Sequence, residues 1–163
     1  MRALVARDLM NADVLKVQDD MSLTDLAEFL TENEISGAPV EDAEGRLVGV
    51  VSLSDLAAAI TGERDQAVVD HSQPSFFVRH WEDKFNPEDL AGLRIAESEA
   101  TVGEIMTPSI FAVDEEMPVS SIAEKMIHSH VHRLLVTRHQ KVVGIVTTSD
   151  LLGLLVEAYE AAG

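Results

Sequence analysis

The sequence predicts an α/β fold built of two tandem repeats, each a small three-stranded sheet with two helices. Three observations carry this. Residues recur at a fixed offset: Met10 returns as Met106, Leu26 as Ile122 and Val40 as Val136, each 96 positions on. The octet Gly49-Val50-Val51-Ser52-Leu53-Ser54-Asp55-Leu56 returns as Gly144-Ile145-Val146-Thr147-Thr148-Ser149-Asp150-Leu151, now 95 positions on. Both octets pass from apolar residues into Ser, Thr and Asp, the pattern of a strand running into a helix. The one-residue slip falls in a turn, where single deletions are best tolerated.

The elements of the first copy follow in order. Val14–Val17 reads as a short strand. Ser22 is a candidate N-cap, with Asp25 three residues on. Leu23–Leu30 shows apolar spacing i, i+3, i+4, i+7, that of an amphipathic helix. Ala38–Val40 is a second strand, Asp42–Gly45 a turn and Leu47–Val51 a third strand. A second helix starts at Ser54-Asp55 and runs through Ile60. The second copy repeats this order, with Pro118 near the first position of its helix. Units this small need to pack together to complete a core.

The boundaries are residues 1–60 for the first repeat, 61–100 for an insertion and 101–163 for the second repeat. The insertion is longer than a usual connection. It carries Phe76, Phe77, Trp81 and Phe85 beside Arg79, His80 and Lys84, and Asn86-Pro87-Glu88-Asp89-Leu90 reads as a helix start. Two accounts fit: a subdomain that packs its aromatics on the repeats, or a lid or docking surface, since aromatics and Arg are typical interface anchors.

Composition narrows the function. The net charge of −17 disfavours nucleic acid and anionic membrane as partners. There is no Cys, so disulfides and thiolate metal sites are excluded. No apolar run is long enough to span a bilayer and no signal-peptide core opens the chain, so a cytoplasmic location is expected. No P-loop, nucleophile elbow or metalloprotease helix is present, so no enzyme activity and no catalytic residue are expected.

The repeated octet carries the remaining chemistry. Free N–H groups at a helix start suit an anion. An Asp three residues after a hydroxyl residue can accept two hydrogen bonds, as a ribose diol would offer. Asp55 and Asp150 are equally intelligible as plain N-terminal helix carboxylates. In the second copy, no acidic residue occurs between Lys125 and Ser149, while Lys125, Arg133, Arg138 and Lys141 do. Arg133 offers a planar fork suited to phosphate oxygens; the other account is a solvated face paired with acids of the first copy. The run His128-Ser129-His130-Val131-His132 straddles a helix end and a strand start, which breaks a metal-binding geometry, so no metal is expected.

This order of elements and this ending resemble the CBS domain, named for cystathionine β-synthase, whose copies usually occur in tandem as a Bateman module. The resemblance covers roughly residues 3–60 and 101–157. It implies pseudo-two-fold pairing of the copies and an adenosine nucleotide (AMP, ADP or ATP) in the cleft between them, with S-adenosylmethionine as a further adenosyl ligand and no other cofactor. Carried over, the second copy would use Thr147 and Asp150 on ribose and phosphate, with Ile110 and Leu134 against the base. The first would use Ser52 and Asp55, with Val14 and Ala38. The segment Val131-His132-Arg133-Leu134-Leu135-Val136 also resembles one in the gamma subunit of AMP-activated protein kinase, where a His-Arg pair contacts nucleotide phosphates. The first copy departs, with Ser36-Gly37 in that place. The expected role is regulatory: nucleotide binding would favour one arrangement, which an unidentified regulated protein reads. The alternative is a nucleotide-independent scaffold of the same fold. The C-terminal run Leu151–Tyr159 is apolar on more of its circumference than one core can cover, which predicts a homodimer.

Overall fold

The computed structural model describes residues 2–61, 75–78, 99–108 and 110–163. The elements are α1 (Ala6–Leu9), β1 (Val17–Gln18), α2 (Leu23–Glu32), β2 (Gly37–Glu41), β3 (Leu47–Ser52), α3 (Leu53–Thr61), α4 (Ser75–Val78), α5 (Val102–Ile105), β4 (Ala112–Asp114), α6 (Val119–Ser129), β5 (Arg133–Arg138), β6 (Lys141–Thr147) and α7 (Thr148–Ala162). Two three-stranded sheets result, β1-β2-β3 and β4-β5-β6, each with one parallel and one antiparallel pairing. The two tandem repeats of sheet and helices are therefore present. The first strand of each is shorter than expected: β1 begins at Val17 and β4 at Ala112, so Val14 and Ile110 precede them.

The chain divides into two compact units that cut across the repeat boundaries. One comprises Met1–Val14 and Phe111–Gly163, the other Leu15–Ile110. Each repeat gives its opening helix to the unit of the other. In the first of these units α1 packs on α6 and β6; in the second α5 packs on α3 and β3. The core of the Leu15–Ile110 unit accordingly mixes both sequence copies, with Leu23, Leu26 and Leu30 of α2, Ala38, Val40 and Val51 of the sheet, and Val102 and Ile105 of α5. Amphipathic spacing on α2 places those three leucines on one face, at 0–1% exposure.

Both sheet-facing helices end in the same way. Beyond α2, Ile35 N–H donates to Leu30 O and Glu34 N–H to Thr31 O; beyond α6, Val131 N–H donates to Met126 O and His130 N–H to Ile127 O. This is the Schellman closure, and it forces Glu34 (φ 53°) and His130 (φ 54°) into the left-handed region. The left-handed conformation costs a non-glycine residue roughly 1–2 kcal/mol. The closure aims the chain from α6 directly into β5. The hairpin that follows turns on His139 and Gln140, both at positive φ (51° and 67°), as a two-residue I′ connection requires. Arg138, ahead of the turn, donates from Nε and Nη2 to the two Glu115 carboxylate oxygens, at 2.5 Å each. That bidentate pair holds the Glu115 carboxyl below its usual range and uses one of the four cations of the acid-free stretch.

Relief of the strained cap is a direct test of this geometry. His130→Gly should stabilise the chain by about 1 kcal/mol, read as a raised midpoint in urea with an unchanged slope. A lowered midpoint would show that His130 is held there by interactions stronger than its backbone strain.

Candidate functional site

The site is assembled from the repeated octet. At Gly144 an added Cβ would stand 2.4 Å from Met10 Sδ, 2.7 Å from its Cγ and 2.9 Å from its Cβ. At Gly49 it would stand 2.8 Å from both Met106 Sδ and Thr107 O. These glycines open each octet because the segment just after α1, or after α5, lies against the strand there. The approach is locked by paired backbone bonds. Asn11 and Ile145 exchange N–H···O bonds of 2.9 Å each, while Val50 and Thr107 exchange bonds of 2.9 and 2.8 Å.

The hydroxyl residue and the Asp then form a reciprocal cap. Thr147 is the N-cap of α7. Its N–H and Oγ1 donate to Asp150 Oδ2 at 2.8 and 3.0 Å, and Asp150 N–H returns a bond to Thr147 Oγ1 at 3.3 Å. Ser52 and Asp55 repeat this, with Ser52 N–H and Oγ donating to Asp55 Oδ2 at 2.8 and 3.1 Å. Both Asp residues thus serve as helix caps, and in each the cap uses Oδ2 alone. Helix N–H groups are less open than expected. Thr148 N–H and its Oγ1 donate to His132 O at 2.9 and 3.1 Å, and Asp150 N–H is held by Thr147, which leaves Ser149 N–H in the first turn of α7.

The second oxygen distinguishes the repeats. Asp150 Oδ1 accepts from no described residue. Asp55 Oδ1 accepts from the Thr107 hydroxyl at 3.3 Å. Sequence reasoning missed Thr107. The signal was present, because its counterpart 96 positions earlier is Asn11, a residue of different reach.

Register decides which other residues can share the site. Arg133 lies directly across from Thr147 in the β5–β6 pairing, so their side chains leave the sheet on the same face. Gly37 lies across from Ser52 in the same way. Leu134 and Ala38, one residue further, face the opposite side; they are 0% and 1% exposed and pair with the buried Val146 and Val51. Any contact of Leu134 or Ala38 with a base would therefore come from the backbone rather than from these buried side chains. The other two expected base contacts, Val14 and Ile110, each end a segment of the unit that does not hold their own repeat's Asp. His132, adjacent to Arg133, lines a groove of about 560 Å³ between α6 and α7 with Ala123, Met126, Ile127, Thr148 and Leu151; Arg133 does not line it. No cluster of three or more His, Asp or Glu residues with metal-binding geometry occurs among the described residues. No helix among them is long and apolar enough to cross a membrane. Trp81, Phe85, Arg79, His80, Lys84 and the helix expected from Asn86 lie outside the described residues.

Fold and octet geometry together define a tandem pair of like α/β repeats. The chain belongs to the CBS domain family, which matches residues 6–62 and 102–157; the family's tandem units are regulatory and non-catalytic. A curated relative, the uncharacterized protein MJ1426 of Methanocaldococcus jannaschii, is 26% identical over 94% of this chain and 92% of its own length. Among solved structures, the CBS domain pair of protein MJ0100 in complex with 5-methylthioadenosine and S-adenosyl-L-methionine is similar at TM-score 0.60 and 22% identity, covering 96% of this chain and 99% of that one. CBSX2 in complex with AMP is similar at TM-score 0.63 and 23% identity, covering 95% and 98%.

The glycine of the octet gives a stability test independent of any ligand. Gly144→Ala forces Met10 at its own Cβ, which side-chain rotation cannot relieve, and should destabilise by about 1–3 kcal/mol. Met10→Ala in the same chain should recover part of that loss, measured as a non-additive double-mutant cycle in urea.

Proposed function

We propose that the chain is a regulatory module that binds an adenosine nucleotide, AMP, ADP or ATP, in the unit that holds Asp150. The observation that carries this is the divided carboxylate of Asp150. One oxygen is spent on the α7 cap and is thereby fixed in place. The other has no partner among the described residues and stands ready for a ribose hydroxyl. Arg133, on the same sheet face as Thr147, supplies the phosphate contact, and Ser149 N–H adds a neutral donor at the α7 N-terminus. The adenosyl ligands of the MJ0100 pair and of CBSX2 support the ligand class. The likeness of Val131–Val136 to the kinase gamma subunit supports a phosphate on it. His132 is not assigned to the phosphate, because it lines the α6–α7 groove. Ligand binding in the cytoplasm would bias the arrangement that a regulated protein reads.

Calorimetry with AMP and adenosine tests this. Asp150→Ala should weaken binding of both by about 100-fold or more. Arg133→Ala should weaken AMP by about 10–100-fold, since charge-assisted bonds contribute roughly 1.5–3 kcal/mol, and should leave adenosine nearly unchanged. Equal loss for both ligands would remove Arg133 from the phosphate. No binding by the native chain would favour the scaffold reading instead.

The homodimer rests on a separate observation. No residue of α7 is buried, and Leu152, Leu155, Val156 and Tyr159 are 57–83% exposed. Packing these side chains from two copies against one another would remove a contiguous apolar stripe from water. We therefore expect a dimer through α7, which Leu155→Glu should convert to a monomer in sedimentation. A native chain that sediments as a monomer at tens of micromolar would refute it.

A further inference from the structure

The face of the first repeat's sheet that matches the Arg133 site is already filled by the chain itself. Gly37 stands across from Ser52 as Arg133 stands across from Thr147. A Cβ at Gly37 would lie 3.2 Å from Phe76 Cδ2 and 3.4 Å from Ser52 Cα, as well as 2.8 Å from Val51 O. The ring of Phe76 therefore covers the position from which the second repeat projects an arginine. It is securely seated: α4 packs on β3, Phe76 and Phe77 are 5% and 0% exposed, and their rings meet edge to face at 5.0 Å. On the same site, Thr107 is 6% exposed and donates to Asp55 Oδ1, the oxygen that its counterpart Asp150 keeps open. Asn11, the counterpart of Thr107, instead accepts from Asp13 N–H at 3.0 Å. Both substitutions act on one site, and both come from outside the first sheet and its helices.

We propose that Phe76 of α4 and Thr107, just after α5, form an internal plug: together they occupy the ligand site of the first repeat, so that each chain takes one adenosyl ligand rather than two. This rests on the adenosyl reading above. Gly37 is then a seat for the ring, and Phe76 has a role that neither a lid over an open site nor a surface dock describes. An apolar ring is an effective plug because its removal exposes it to water, a penalty the entering ribose does not offset.

The test is calorimetric titration of AMP and adenosine into four proteins. The native chain should bind one ligand per chain. Asp150→Ala should lose about 100-fold or more in affinity, because the first site is closed. Adding Phe76→Ala and Thr107→Val to Asp150→Ala should restore adenosine binding by about tenfold or more over Asp150→Ala alone. The pair Phe76→Ala/Thr107→Val with Asp150 intact should bind two ligands. If Phe76→Ala fails to fold by circular dichroism, Phe76→Leu, which removes the ring from Gly37 and keeps an apolar contact for Phe77, is scored by the same rule. Two ligands on the native chain, or near-native affinity in Asp150→Ala, would overturn the plug. So would one ligand on the native chain with no gain in the folded opened variants. No binding by any of the four proteins would overturn the adenosyl reading and the plug with it.

Discussion

The close approach of a methionine segment to a strand glycine is the constraint on which the rest depends. Met10 against Gly144 and Met106 against Gly49 leave no room for a β-carbon. Each contact is fastened by a pair of backbone hydrogen bonds from the following residue. These bonds satisfy the edge of β6 or β3, which would otherwise present unpaired groups. They also bring the helix before the methionine onto the sheet and helices of the other repeat. The exchange explains why neither sequence copy is by itself a folding unit. The core of the Leu15–Ile110 unit needs Val102 and Ile105, which belong to the second copy.

From that strand edge the octet runs straight into a helix, and its Asp must cap that helix. The cap takes only one of the two carboxylate oxygens. Oδ2 receives two donors from the hydroxyl residue and is fixed by them. Oδ1 is then held in orientation by the same cap, as the proposed recognition of a diol requires. In the first repeat one hydroxyl, that of Thr107, takes this remaining oxygen.

Much of this was legible in the sequence. The 96-residue offset located the repeats, and periodicity located α2, β2, β3 and α3 to within two residues. The octet pointed to Ser52, Asp55, Thr147 and Asp150, which the structure joins in pairs. Three things were not legible. The first is the side of the sheet taken by Leu134 and Ala38. Strand side chains alternate, so an uncertainty of one residue in register moves a side chain from one face to the other, and both of these face the core. The second is the exchange of α1 and α5, because a helix of four residues has too short a pattern to show which sheet it covers. The third is the placement of Phe76 on Gly37. Phe76 was visible as an aromatic and Gly37 as the residue in place of Arg133, yet nothing in the spacing says that one lies on the other.

The charge of the chain sharpens what the Asp150 site must do. A net charge of −17 repels AMP and attracts the sulfonium and ammonium of S-adenosylmethionine, so diffuse electrostatics alone would choose the latter. Those charges act mostly across solvent, where screening removes interactions beyond about 8 Å at physiological salt. A guanidinium in contact with a phosphate acts at about 3–4 Å in a partly desolvated site, where each bond contributes on the order of 1.5–3 kcal/mol. Under the proposed assignment the local contact would decide the bound state, and the diffuse field would act on the approach to it, slowing anion association at low salt more than at high salt. A preference for the nucleotide over the sulfonium ligand thus rests on Arg133 rather than on the chain as a whole. The first repeat, with glycine in that place and Phe76 upon it, has no such contact at that position.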